Sequence, residues 1–244
     1  MGYQRSYVLA GDNHFSSLAQ EQRARLQRRH RHGPDIEAAL LAAVAQRHPG
    51  RLLQIGSGSG RLAARISRHI AGRVVAIDVN AALTADAHAR GVLAVVAQVR
   101  ALPFAAGAMD GVVADRALRH ERDVAEGLGE ICRVLRPDGT LLAVVRSNAR
   151  DGHELEVALG IAARRHTDAL STENGEAVLR RWFRHVEHQS LDYVLAFPDG
   201  RAAARYLATL PGRADMARHI ATMKGSITLT YGVSLLVATA PLPR

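Results

Sequence analysis

Residues 52–60 read Leu-Leu-Gln-Ile-Gly-Ser-Gly-Ser-Gly, and eighteen positions after the last of these glycines Asp78 closes the run "VVAID". An apolar segment that breaks into alternating glycines brings backbone N–H groups and the start of a helix up to a ligand, which favours an anionic group there. Glycine permits that approach because no Cβ stands in the way. The acid ending the next apolar run is placed where a carboxylate can accept two hydrogen bonds from a ribose diol. The pair therefore predicts a nucleotide-type ligand. Spacing narrows the kind. A dinucleotide turn of form G-x-G-x-x-G would have its third glycine at position 61, which is Arg61; here it is Gly60, and the pattern is G-x-G-x-G.

Such residues need a sheet to hold them, and the hydrophobic pattern supplies one. Pro34 and Asp35 open a helix with Ile36, Leu40, Leu41 and Val44 on one face, and Gly50 is placed to stop it. Residues 51–56 form a buried strand. Leu62, Ile66 and Ile70 repeat every four residues and mark a helix packed on the sheet. "RVVAID" (73–78), "VLAVVAQ" (92–98), "GVVADRA" (111–117) and "TLLAVVRS" (140–147) are further strands, separated by helices over 81–90 and along Val124, Leu128, Ile131 and Leu135. Apolar strands alternating with amphipathic helices imply an α/β fold, a parallel sheet covered on both faces. Beyond residue 150 a mainly helical stretch to about 184 is expected, then a strand around "VEHQSLDYVLAF", a helix around "AARYLATL" and a final strand region from Ser226. With no linker in sight, residues 1–244 are expected to form one domain: an N-terminal helical cap (1–50), a ligand-binding core (51–147), and a helical insertion with sheet completion (148–244).

Three segments, "LLQIGSGSGRLA", "VVAIDVN" and "ALPFAAGAMDGVVADRALRHERDVAEGLGEICRVLRPDGTLLAVV", resemble the Rossmann-like S-adenosylmethionine-dependent methyltransferases, within the broad group that includes the ubiquinone and menaquinone biosynthesis enzymes. The third is the most specific, through its Leu-Pro-Phe, the Met-Asp after it, and the turn into the fifth strand. The resemblance implies a seven-stranded, mostly parallel sheet and S-adenosylmethionine as cofactor. Carried over by position, it implies that Gly56, Ser57, Gly58 and Gly60 pass beneath the methionine and ribose. Asp78 would bind the ribose hydroxyls, with Val79 and Asn80 beside the adenine and Gln98 and Val99 at its edge. Asp115 and Arg116 would lie nearest the transferred methyl. Two positions depart from the family, Gln54 and Gln98, where acids are usual. An amide keeps the acceptor and loses the charge, which removes on the order of 1 kcal/mol per contact.

Methyl transfer is an in-line displacement that depends mainly on alignment and exclusion of water. A base helps when the acceptor is a hydroxyl. Asp115 and His120 are the catalytic candidates, with His14 in an N-terminal segment of the kind that lids substrates. "ADRA" replaces the Asn-Pro-Pro-aromatic motif of exocyclic-amine methylation, Cys132 lies on a helix away from the strand ends, and Lys224 alone cannot build a lysine-based ribose-methylation tetrad. Trp182 and Phe183 read as core. No metal site is expected.

Composition bounds the partners. At 48% hydrophobic and 23% charged, with no run of about 18 apolar residues, the chain is expected to be soluble and cytoplasmic, with no membrane partner. The net charge of +9 comes from 31 arginines and one lysine, which fits the codon usage of a GC-rich genome as well as it fits phosphate contacts. The densest cluster is Arg23 to His32. The reading adopted is a methyltransferase acting on an O or N of a small molecule. The alternatives are an RNA methyltransferase and a cofactor-binding protein of the same fold without methyl transfer. A homodimer is compatible with the sequence.

Overall fold

The computed structural model describes residues 17–118, 124–152, 168–210 and 212–243. In chain order the elements are α1 (Ser17–His30), β1 (Arg31–His32), α2 (Ile36–Ala45), β2 (Arg51–Ile55), α3 (Arg61–Ser67) and β3 (Arg73–Asp78). Then come α4 (Ala81–Ala89), β4 (Leu93–Val96), β5 (Met109–Asp115), α5 (Val124–Val134) and β6 (Leu135–Asp151). The last are α6 (Gly175–Leu179), β7 (Phe183–Ser190), β8 (Tyr193–Phe197), α7 (Gly200–Leu207), α8 (Ala214–Ile220) and β9 (Ile227–Pro241). Two compact units divide them: a larger one, Gly33–Val194 with Leu229–Arg244, and a smaller one, Met1–His32 with Leu195–Thr228.

Seven strands of the larger unit lie in the order β7-β9-β6-β5-β2-β3-β4. β4, β3, β2, β5 and β6 run parallel, and β9 pairs antiparallel with both β6 and β7. The chain leaves β2 for β3 on one side and reaches β5 on the other, so the crevice outside the carboxyl end of β2 is the switch point of the sheet. Parallel strands are covered on both faces and so are apolar throughout. Leu53, Ile77, Val112, Leu141 and Ala143 are buried in one cluster with Leu128 and Ile131 of α5. Trp182 and Phe183 join the same cluster, as their expected core role requires.

Local chemistry explains the boundaries. Asp35 accepts from the backbone N–H groups of Glu37 (3.0 Å) and Ala38 (3.1 Å), the N-cap bonds that start α2. That helix ends at Ala45, well short of Gly50, whose carbonyl instead accepts from Arg73 N–H (2.8 Å) at the entry to β3. α3 closes at Ser67, leaving Ile70 beyond it. The expected helical stretch to 184 holds only α6 among its described residues, because Phe183 already opens β7. "VEHQSLDYVLAF" contributes to two strands rather than one. Between them Asp192 accepts from Val233 N–H (3.0 Å) and pairs with Arg150 (2.5 Å), which fixes the break. α8, not anticipated from its seven residues, buries Met216, Ala217 and Ile220.

In the smaller unit Arg23 donates to the carbonyl of Thr209, Gln27 to the Tyr206 hydroxyl (3.3 Å), and the His30 ring lies 4.8 Å from that of Phe197. The opposite face of α1 leaves Arg25, Arg28 and Arg29 exposed. Among the described residues no helix is long and apolar enough to cross a membrane.

Candidate active site

The turn from β2 into α3 needs glycine at every second position. Gly56, Gly58 and Gly60 have φ of 62°, 55° and 76°, the left-handed region that side chains disfavour. A Cβ on Gly56 would lie 2.7 Å from that of Ala117, and one on Gly60 would lie 2.6 Å from that of Ala87. The turn is anchored at both ends. Ser57 N–H donates to the carbonyl of Ile77 (2.9 Å), and Gly58 N–H donates to the Asp78 carboxylate (2.8 Å). The other Asp78 oxygen accepts from Asn80 N–H (2.9 Å), and Asn80 in turn caps α4. Each oxygen has used one of its two acceptor positions and keeps the other for a ligand.

Beside the turn two side chains break the usual rule that buried polar atoms are bonded. Gln54 is 2% exposed and Ser57 8% exposed, yet Gln54 Oε1 and Ser57 Oγ have no hydrogen-bond partner among the described residues. An orphaned acceptor and an orphaned hydroxyl beside the glycine turn are suited to a ligand that carries its own donors, as an aminoacyl nucleoside does. Val79 is 65% exposed at the end of β3, an apolar side chain suited to the face of a flat base. Gln98 is exposed, and its Oε1 already accepts from Arg100 (2.8 Å). Val99 is buried in the core cluster, so a ligand could meet only its backbone.

Asp115 ends β5 in a two-bond clasp with its neighbour, Arg116 Nε to Oδ1 at 2.8 Å and Nη2 to Oδ2 at 2.9 Å. Arg116 has φ of 56°, held by a bond from its N–H to the carbonyl of Val144 (2.9 Å). A bulky side chain in that conformation is strained, and such strain clusters at functional sites. Burial works against charge on Asp115. Arg116, through charge and hydrogen bonds, with Arg61 and Arg146 further off, nevertheless holds its carboxyl below the ordinary value of 3.8. Arg61 and Arg65 each reach Glu37 at 2.7 Å. Four guanidinium groups, with Arg146 acting only through its charge, thus gather around Asp115 and Glu37 at this end of the sheet, where Asp78 adds a third carboxylate. His120 and His14 lie outside the described residues.

Sequence reasoning did not assign roles to Glu37, Arg61 or Arg146. Arg61 was visible as the residue standing where a dinucleotide turn needs glycine; nothing in spacing pointed to the other two. It also missed the polar cluster that joins the last residues of β6 to Glu173. There Glu173 accepts from the Ser147 hydroxyl and from Asn148 N–H (3.1 Å). Burial opposes its charge, but these bonds and one from Ser171 bring its pKa from 4.5 down to about 2. The most specific motif turns out to be a clamp. Glu130 accepts from Leu102 N–H (2.8 Å), while Arg133 donates to the carbonyls of Leu102 (3.1 Å) and Phe104 (2.8 Å). "ALPF" and "EICR" accompany each other because one holds the other's backbone.

Residues 53–143 match the methyltransferase domain family. Solved structures share the fold at low identity. The YcgJ protein of Bacillus subtilis is 18% identical, with a TM-score of 0.61 over 84% of this chain and 100% of that one. An S-adenosylmethionine-dependent methyltransferase of Thermotoga maritima is 18% identical, with a TM-score of 0.57 over 91% and 96%. Phosphoethanolamine N-methyltransferase 2 of Haemonchus contortus, solved with phosphomonomethylethanolamine and S-adenosylhomocysteine, is 16% identical (TM-score 0.57) over 84% of this chain and 53% of that one. Residues 53–143 thus form a methyltransferase domain, and the chain shares the Rossmann-like fold of the S-adenosylmethionine-dependent methyltransferases. S-adenosylmethionine is the cofactor of that class.

Proposed function

We propose that this enzyme methylates an O or N of a small, negatively charged molecule. The observation that carries the reading is the guanidinium surplus at the carboxyl end of the sheet: Arg61, Arg65, Arg116 and Arg146 against Asp115, Glu37 and Asp78, four positive groups to three negative. Fixed positive charge in a partly dehydrated crevice favours an anionic guest and disfavours a cationic one. The Haemonchus enzyme, solved with a phosphate-bearing amine, supports the reading.

Asp78 would hold the ribose diol, Gln54 Oε1 would accept from the methionine ammonium, and Ser57 with the glycine N–H groups would line the same portion. Val79 would lie against the adenine. Bound there, S-adenosylmethionine supplies a methyl made electrophilic by its sulfonium. The protein's part is alignment. A carboxyl kept below its ordinary pKa and clasped by an arginine is a weak proton acceptor, so Asp115 orients rather than deprotonates. It holds the Arg116 guanidinium toward the acceptor while Arg146 takes the acceptor's charge. An acceptor oxygen beside two guanidiniums ionises more readily, so no separate base is needed for an acidic hydroxyl.

Label transfer from methyl-tritiated S-adenosylmethionine tests this, with hydroxybenzoates and phosphoethanolamine, neutral amines, and ribosomal RNA as parallel acceptors. Label should enter the anionic small molecules, and Arg146→Met should raise KM more than it lowers kcat. Label confined to RNA would establish the nucleic-acid reading instead. Tight S-adenosylhomocysteine binding with label in no acceptor would favour a non-methylating protein of this fold.

A further inference from the structure

The positive charge of this chain is not spread evenly. The smaller unit contains eleven Arg and Lys against four Asp and Glu, so it carries +7 of the net +9. Within it α7 and α8 bound an open groove of about 490 Å³. Its floor is methyl groups, with Ala204 of α7, Ala208 just past its end and Ala217 of α8, and its rims are Arg201 and Arg205 on one side and Arg218 on the other. Arg218 is paired with Asp215, but Arg201 and Arg205 are exposed and make no hydrogen bond or ion pair among the described residues. A base-composition account of the arginines explains their number. It does not explain their gathering in one unit around an apolar floor.

We propose that this groove docks an acidic amphipathic helix of a partner protein. Alanine side chains let a second helix approach closely, since interaxial distance is set by the side chains at the contact. Arg201 and Arg205 stand four apart, one turn or about 6 Å along the axis, a spacing that matches acids placed four apart on a facing helix. A floor of methyls gains by covering apolar side chains and gains nothing from a phosphodiester chain. The described aromatic rings of this unit, Phe197 and Tyr206, are 1% and 2% exposed, so neither offers bases a stacking platform. Those two features separate an acidic helix from RNA, which the charge alone would also attract.

The test uses the full chain with S-adenosylhomocysteine bound and a labelled helical peptide of about 18 residues, with glutamates at i and i+4 on both flanks of a Leu/Ala stripe. Anisotropy is read at about 0.15 M salt. The glutamate peptide should bind, and its lysine counterpart should not. Arg201→Glu with Arg205→Glu, and separately Ala208→Trp, should each weaken binding by at least about tenfold. Both variants should leave S-adenosylhomocysteine affinity and the circular dichroism spectrum unchanged, which separates loss of docking from loss of fold. The proposal is overturned if the glutamate peptide fails to bind, or if either variant binds it as the parent does. It is also overturned if polyuridine RNA binds more tightly through the same two arginines.

Discussion

The two ends of β2 treat polar groups in opposite ways. At the amino end charges are matched: Asp110 accepts from Arg51 N–H (2.7 Å) and from Arg136 (3.0 Å), and Arg136 also reaches Asp138 (2.7 Å). A small cavity there is walled by these same paired groups. At the carboxyl end a buried amide oxygen and a buried hydroxyl have no partner among the described residues, and an arginine sits in a left-handed backbone conformation. One end of the strand completes its own bonding; the other leaves acceptors for something else to complete. Charge at the first is a matter of stability, and at the second a matter of binding.

Replacements at the two ends should separate those consequences. The largest effect is expected from Asp78→Ala, which removes the two proposed ribose acceptors together with the bonds to Gly58 and Asn80 N–H. Calorimetry should show S-adenosylhomocysteine binding weakened by about a hundredfold, near 3 kcal/mol. An unchanged affinity would remove the glycine turn from the cofactor site. Asp110→Ala should do the reverse. It leaves Arg51 N–H unsatisfied and lowers stability by about 2 kcal/mol, a fall in Tm of about 4–8 °C, while cofactor affinity stays put. A change in affinity would mean that the two ends are coupled.

Smaller effects sharpen the contrast. Gln54→Asp restores a charge opposite the methionine ammonium and should tighten binding by about three- to tenfold. Equal or weaker binding would show the amide already matched to its ligand. Glu173 offers an acid signature. Its folded pKa lies below 4.5, so its stabilising contribution is present above that pH and disappears as pH falls toward about 2. Because the side chain is exposed, solvent screening holds the contribution to about 1 kcal/mol. Denaturant midpoints of Glu173→Gln and the parent, well apart at pH 7, should converge across that window; a constant gap would place the effect elsewhere.

How legible each end was follows from the physics that builds it. β3 is found at 73–78 as read, because a strand buried on both faces must be apolar from end to end. The Gly56–Gly60 turn was equally plain, since few residues tolerate positive φ. Asp35 as a cap was visible, but the end of α2 was not. Its last turn closes on backbone bonds from Gln46 and a side-chain bond from Arg47 to the Ala43 carbonyl (2.8 Å), and in a chain so rich in arginine neither marks an end. The Arg61–Glu37–Arg65 group was hidden for a related reason. Its members are 24 and 28 positions apart, and arginine is too common in this chain to draw notice. The Glu130–Arg133 clamp was seen as a motif without its cause, which only the Leu102 and Phe104 carbonyls reveal.

Arg116 bears on how this enzyme could be engineered. Glycine there would relax the backbone at φ of 56° by about 1 kcal/mol, the kind of change a search for thermostability selects first. It would also strip Asp115 of its two-bond clasp. The position where the fold is easiest to improve is therefore one where the enzyme has most to lose, and a library scored on melting temperature alone would drift toward a sturdier, less active protein.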